Sequence, residues 1–140
     1  MLARAEPPDP MSYSVRQGAH FPFRDDRVSA RVITAFQEAN AAARLFNELA
    51  GGARSPAAHR RALGTRLEAI RKRGYDEGPS DTVAGVVDIC LPVFDRFGVV
   101  AALNLVYLKH RDVRVTVAQG RKALQETAQT ISRALGWLER

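Results

Sequence analysis

Two polar residues interrupt a part of the sequence that is otherwise almost entirely apolar. Asp88 and Asn104 are the only strongly polar side chains within the runs Val83–Phe94 and Val99–Leu108. If a three-residue loop joins the two runs as a β-hairpin, Asp88 lies directly opposite Asn104. Because side chains alternate along a strand, the same sheet face then carries four further residues. These are Val86, Cys90, Ala102 and Val106.

A carboxylate on such a face needs a partner, and the sequence leaves two explanations for Asp88. Burying a charge without a partner costs on the order of several kcal/mol. In the first explanation, Asn104 and backbone groups satisfy Asp88 and nothing else binds. In the second, the two polar residues belong to a mostly apolar pocket, which is the usual construction of a small-molecule site.

The residues that could support catalysis are scattered along the chain. The single cysteine is Cys90, and the histidines are His20, His59 and His110. No histidine is positioned by the pattern beside Cys90 to activate it as a nucleophile. A lone cysteine in an apolar strand is typical of a core residue. The sequence therefore predicts no enzyme and no cofactor.

An acidic segment precedes the hairpin. Asp76 and Glu77 are separated from Asp81 by Gly78-Pro79-Ser80. This composition predicts a solvated loop, with a cation site as the alternative. Near the C-terminus, Trp137 is expected to pack against the domain or a partner rather than to bind a ligand.

Charge and composition limit the classes of function. The 140 residues are 46% hydrophobic and carry a net charge of +6, which suits a single folded domain. Much of the positive excess lies between Arg54 and Arg73, where Arg60-Arg61 and Arg71-Lys72-Arg73 are expected on the solvated side of a helix. No apolar run is long enough to span a bilayer. One cysteine is consistent with a cytoplasmic protein without disulfides.

The strands and helices that position these residues follow from patterning. The alternation of residues 12–17 predicts a strand, and pairing of Phe94 with Gly98 predicts the hairpin. The order of strand, helices, hairpin and long helix is typical of an α+β fold, an antiparallel sheet covered by helices. Asp25 or Asp26 and then Ser55 are the expected caps of the first and third helices, and Gly74 ends the third. The predicted helix stripes are Val28, Val32 and Phe36; Leu45, Phe46 and Leu49; Leu63, Leu67 and Ile70; and Leu124, Ala128, Ile131, Leu135 and Leu138.

The combined order of these motifs resembles a known family. The segment IRKRGYDEGPSDTVAGVVDICLPVFDRFGVVAALNLVYL, followed by TISRALGW, is similar to the C-terminal part of the effector-binding domain of isocitrate-lyase-regulator (IclR) transcriptional regulators. The upstream segments LARAEPPDP and SVRQGAHFPF resemble the middle of that domain. The resemblance covers nearly the whole chain.

The resemblance implies a GAF-like α+β fold, a curved antiparallel sheet flanked by helices. It implies one effector-binding domain over residues 1–140, with a strand end and Pro-rich turn at 1–10 and helix, hairpin and C-terminal helix at 55–140. No helix-turn-helix pattern precedes Met1, so the chain is expected to be N-terminally truncated and to reach DNA only through an absent N-terminal domain. Such regulators are usually homodimers or homotetramers. One segment departs from the family: Pro22–Ser29 carries charged residues where small ones are common.

The resemblance also implies a pocket for a small-molecule effector. Eight positions are carried over as its lining: Tyr13, Phe21, Arg27, Val28, Val86, Asp88, Asn104 and Val106. Apolar walls predict an apolar or aromatic ligand body, and the planar guanidinium of Arg27 would suit a carboxylate. We therefore expect a small organic acid as effector. The alternatives are an oligomerisation module without ligand, or a small α+β enzyme.

Overall fold

A three-stranded antiparallel sheet lies between helices in the computed structural model, which describes residues 16–52, 54–81, 83–108 and 114–138. The elements of this part of the chain are α1 (Val28–Phe36), α2 (Ala39–Leu49), α3 (Ala57–Arg73), β1 (Asp76–Pro79), β2 (Val86–Asp95), β3 (Gly98–Leu108) and α4 (Val117–Ala134). The α+β class predicted from the sequence is confirmed. No helix in the described ranges is long and apolar enough to cross a membrane.

The predicted N-terminal elements fall largely outside the described residues. The expected strand end and turn at residues 1–10 lie there, and so does Tyr13. Arg16 and Gln17, the last two residues of the predicted strand 12–17, are described and belong to a turn instead. The turn is closed by a hydrogen bond from the Ala19 N–H to the Arg16 carbonyl (3.0 Å), and Gly18 adopts a φ of 77° within it.

The hairpin forms where expected, but its register differs by two residues from the prediction. Asp95 pairs with Gly98, so the loop has two residues rather than three. The Asp95 carboxylate accepts hydrogen bonds from the Phe97 and Gly98 N–H groups (2.7 and 3.1 Å). A bulge between Val93 and Phe94 adds one further residue to β3. Asp88 therefore lies opposite Val106, and Cys90 lies opposite Asn104. The prediction that Asp88 faces Asn104 directly is wrong, although an even shift keeps both on one sheet face.

The acidic segment forms a strand rather than the predicted solvated loop. Asp76–Pro79 is β1, which pairs with β2 at the edge of the sheet. Asp76 is fully buried and lies opposite Cys90 in the register. Its side chain therefore shares the sheet face that carries Asp88.

Helix α1 covers the sheet face that carries Asp88, and α3 packs against α1. Val32, Ile70 and Cys90 are completely buried in the core between them. The predicted α3 stripe of Leu63, Leu67 and Ile70 is buried, and the N–H of Gly74 closes the helix on the Ile70 carbonyl (2.9 Å). The caps at the helix starts differ from the prediction. Arg27 rather than Asp25 or Asp26 precedes α1, and Pro56 rather than Ser55 precedes α3.

Helix α4 covers the opposite sheet face. Leu124 and Ala128 pack there against the buried side chains of Ile89, Leu91 and Val93. The predicted stripe of α4 is correct only in its first half. Ser132 is buried at the next turn, and its hydroxyl accepts a hydrogen bond from the Phe94 N–H (3.0 Å). The residues left exposed are Ile131, Leu135 and Leu138.

Trp137, beyond the end of α4, and the arginines of α3 both make contacts within the domain. Trp137 packs within the domain, its ring stacked on that of Phe94 at 5.1 Å between centroids. The basic run is only partly free in solvent. Arg60 donates to the side-chain oxygen of Asn47 (2.7 Å), and Arg71 donates to the carbonyl of Ala35. Several of these arginines therefore tie α3 to neighbouring elements.

Candidate ligand-binding site

A cavity of about 280 Å³ lies between the start of α1, the segment after β1 and the α1-facing side of the hairpin. Its volume is close to the lower end of small-molecule pockets, roughly 300–1,000 Å³. The lining residues are Phe21, Arg27, Val28, Ser29, Ser80, Asp81, Asp88, Ala102, Asn104 and Val106. The cavity therefore combines apolar walls with a few charged and amide groups.

Most of the residues selected from the sequence meet at this cavity. The lining includes six of the eight: Phe21, Arg27, Val28, Asp88, Asn104 and Val106. Val86 lies on the same sheet face but is buried away from the cavity. Tyr13 lies outside the described residues. Four lining residues were not selected from the sequence: Ser29, Ser80, Asp81 and Ala102. The segment that carries Ser80 and Asp81 was interpreted as a solvated loop.

Arg27 enters the cavity from the residue that precedes α1. Its Nη2 lies 2.9 Å from Oδ2 of Asp81, and both side chains are mostly buried. The guanidinium stacks over the ring of Phe21, 4.6 Å from the centroid, which is a favourable cation–π geometry. The Nε of Arg27 is buried and has no hydrogen-bond partner within the part of the chain that the structure describes. One donor of Arg27 therefore lacks a partner within the described residues.

Segment Pro22–Ser29, which carries charged residues where small ones were expected, forms ion pairs at the surface. Arg24 forms an ion pair with Asp26. Asp25 lies 3.2 Å from Nε2 of His59 on α3. These pairs leave Arg27 as the charged group of this segment that lines the cavity.

Asp88 lines the cavity from β2 and is only 9% exposed. No hydrogen bond or ion pair involves its side chain among the described ranges. Asn104 lies on the same face of the neighbouring strand β3, diagonally across from Asp88. It is exposed at the cavity and makes no side-chain hydrogen bond with a described residue. Within these residues, neither Asn104 nor a backbone group satisfies Asp88 in the way that the first explanation requires.

Asp76 is the other buried carboxylate of this sheet face, and it is fully paired. Oδ2 accepts from Nε of Arg31 at 2.6 Å, and Oδ1 lies near the guanidinium groups of Arg66 (3.3 Å) and Arg73. The Glu77 N–H donates to Oδ1 as well (2.9 Å). A cation site here was the alternative for the acidic segment, but no cluster of metal-ligating residues exists within the described chain. Asp76 is thus a structural group.

Cys90 lies between these two carboxylates on the same face, and its environment disfavours the thiolate. Burial, followed by the negative charges of Asp76 and Asp88, raises the pKa of the Cys90 thiol from 9.0 to about 12. A protonated thiol is a poor nucleophile. Cys90 is therefore a core residue, as its position in an apolar strand predicted.

Comparison with known proteins identifies the family. The family profile described as "Bacterial transcriptional regulator IclR C-terminal" matches residues 1–133. The chain belongs to the IclR family. The members of this family and the matching solved structures are transcriptional regulators and not enzymes, so the enzyme alternative is set aside. No curated protein matches the chain at a significant level.

Solved structures share the fold, and two of the three described here are IclR proteins. The Thermotoga maritima IclR structure aligns with a TM-score of 0.72 at 23% identity, over 95% of this chain and 55% of that chain. Pseudomonas aeruginosa HmgR aligns with a TM-score of 0.67 at 26% identity, over 94% of this chain and 52% of that one. An IclR homologue from Microbacterium hydrocarbonoxydans, solved with 4-hydroxybenzoate, aligns with a TM-score of 0.66 at 20% identity, over 89% and 50% of the two chains. This chain therefore spans about half the length of these relatives.

Proposed function

We propose that this chain is the effector-sensing part of an IclR-type regulator and that it binds a small organic acid in the 280 Å³ cavity. The observation that carries the proposal is the meeting at one cavity of two polar groups without a partner among the described residues: the mostly buried Asp88 carboxylate and the Arg27 Nε. Such groups are costly when left unpaired and are repaid when a ligand supplies the partner. DNA binding by such a regulator would depend on another domain, and its site of action would be the cytoplasm.

The proposed ligand has a polar group at each end of an apolar body. Its carboxylate accepts a hydrogen bond from Nε of Arg27, and a hydroxyl or amine donates to Asp88 or meets the amide of Asn104. Phe21, Val28 and Val106 supply apolar contacts. The related structure solved with 4-hydroxybenzoate supports this class of ligand. That molecule has a carboxylate and a hydroxyl on opposite sides of an aromatic ring.

Calorimetric titration of 4-hydroxybenzoate tests the proposal. We expect saturable binding to the wild type and a roughly ten- to hundred-fold weaker affinity for Arg27→Ala and Asn104→Ala, since each removes a hydrogen-bonding group from a buried ligand. Arg61→Ala and Asn40→Ala are matched controls, because both residues are exposed and neither lines the cavity. If both cavity variants bind as tightly as the wild type, the ligand lies elsewhere. If no small acid binds, the oligomerisation module is favoured.

We also propose that the chain self-associates through the end of α4. Ile131, Leu135 and Leu138 are 36%, 47% and 82% exposed, whereas Leu124 of the same predicted stripe is buried in the domain. Exposed apolar residues grouped in this way are typical of association surfaces. Sedimentation velocity at ~100 μM, where contacts of micromolar affinity are populated, should show a dimer or larger, and Leu135→Asp should dissociate it. A wild-type protein that sediments only as a monomer contradicts this proposal.

A further inference from the structure

The charges around the cavity do not balance. Within the described residues, the lining carries one cation, Arg27, and two carboxylates, Asp81 and Asp88. Arg27 and Asp81 form an ion pair at 2.9 Å. Among these described lining residues, Asp88 is the carboxylate without an ion pair, and carboxylates outnumber cations by one.

The neighbouring cations on this sheet face are already engaged. Arg31, the buried arginine of α1, donates from Nε to Asp76 and also donates to the Asp25 carbonyl. Arg66 and Arg73 converge on Asp76 as well. The Cys90 thiol remains neutral and supplies no counter-charge. None of the described residues therefore provides a cation to Asp88.

The unpaired charge of Asp88 favours some organic acids over others as ligands. A simple monoanionic acid adds a second uncompensated negative charge beside the mostly buried Asp88 carboxylate, which is unfavourable because like charges repel more strongly where burial limits screening by water. A hydroxyl offers Asp88 a hydrogen bond without any counter-charge. An ammonium group offers both, and charge-assisted hydrogen bonds are about twice as strong as neutral ones.

We infer that the effector carries an ammonium group that binds Asp88, together with a carboxylate that binds Arg27, so that its class is an amino acid or another small zwitterion. This inference rests on the proposed function of the cavity and adds the second charge to the ligand. Each end of such a ligand meets one of the two unpaired groups: the ammonium meets the Asp88 carboxylate, and the carboxylate meets Arg27 Nε.

Three para-substituted benzoates of similar size test the inference by calorimetric titration. They are 4-(aminomethyl)benzoate, 4-hydroxybenzoate and 4-methylbenzoate, which present an ammonium, a hydroxyl and a methyl group at the same end. We expect 4-(aminomethyl)benzoate to bind the wild type at least tenfold more tightly than 4-methylbenzoate, with 4-hydroxybenzoate between them. Asp88→Asn keeps the side-chain shape but removes the charge, and it should abolish the preference for the ammonium. The exposed Glu126→Gln is the matched control and should leave all three affinities unchanged.

The outcomes separate this inference from the proposed function. Equal affinities of the three acids for the wild type, or an ammonium preference that persists in Asp88→Asn, would overturn the inference and leave the cavity as an organic-acid site. Absence of binding by all three would overturn both. A fourth probe, 4-methylbenzylamine, lacks the carboxylate. If it binds as tightly as 4-(aminomethyl)benzoate, the carboxylate contributes nothing to binding, and both the zwitterion inference and the organic-acid function are overturned.

Discussion

Asp76 and Asp88 lie on the same face of the sheet, on adjacent strands, and both are buried, yet their surroundings are opposite. Asp76 has no exposed surface and is contacted by three arginines. Asp88 is 9% exposed, and no described residue pairs with it. A buried carboxylate whose charge is compensated within the chain holds the fold together, whereas one left uncompensated beside a cavity is available to a ligand.

The difference arises from the points on the sheet that the arginine side chains of α1 and α3 reach. The last turn of α3 brings Arg73 to β1, and α1 directs Arg31 to the same point. At the start of α1, Arg27 reaches the cavity but is paired with Asp81. On this sheet face, the carboxylate under the middle of α1 is therefore paired with arginines, whereas the carboxylate near the start of α1 has no described cation beside it.

The largest expected effect belongs to the compensated carboxylate. Asp76→Asn leaves the buried guanidinium of Arg31 without a counter-charge, and breaking such a pair costs about 3–5 kcal/mol. Urea unfolding should show this loss in the free energy of unfolding. Asp26→Asn, which removes an exposed carboxylate paired only with Arg24, is the control and should change stability little. Wild-type stability in Asp76→Asn would show that the cluster is not structural.

The opposite sign is expected for Asp88. Asp88→Asn replaces an unpaired buried charge with a neutral amide of the same shape, so the ligand-free protein should become more stable, by about 1–3 kcal/mol. Urea unfolding of the ligand-free variant beside the wild type measures this change. Destabilisation by this substitution would mean that the Asp88 carboxylate has a partner in the folded protein, as Asp76 does.

A third prediction uses Cys90, which lies between the two carboxylates. The thiol has a pKa near 9 when the chain is unfolded and about 12 when it is folded. Its contribution to stability is therefore complete below pH 9 and is lost as the pH rises toward 12, by up to about 1.4 kcal/mol per pH unit. Unfolding of the wild type and Cys90→Ala between pH 8 and 11 measures the difference in slope. Parallel slopes would mean that the two carboxylates and burial do not hold the thiol neutral.

The smallest effect is expected at the solvent side of the Asp76 cluster. Arg66 approaches Asp76 at 3.3 Å, but its side chain is 46% exposed. Arg66→Ala should therefore cost less than about 1 kcal/mol in unfolding free energy, since ion pairs of exposed side chains contribute little. Arg61→Ala on the same helix gives the baseline. A loss as large as that of Asp76→Asn would show that Arg66 acts as a buried partner.

The sequence predicted the elements and the sheet face of the site better than it predicted contacts. The hairpin pattern assigned Asp88, Asn104 and Val106 to one face, and this survived a register error of two residues because side chains alternate with a period of two. The loop length and the bulge at Val93/Phe94 were not predictable, since apolar alternation continues through both. The strand β1 was missed because its four residues, DEGP, have little intrinsic tendency to form strand.

By itself, the amino-acid sequence determined the α+β class, the helix stripes of α3 and the family, because these depend on residue spacing and on the order of motifs along the chain. Only the tertiary structure decided which carboxylate is paired. Arg31 is 45 residues from Asp76 in the chain, and Arg66 is 10 residues away, yet all three side chains meet at one point. Whether a buried charge is compensated depends on distances in space, and local patterning carries no information about groups that only folding brings together.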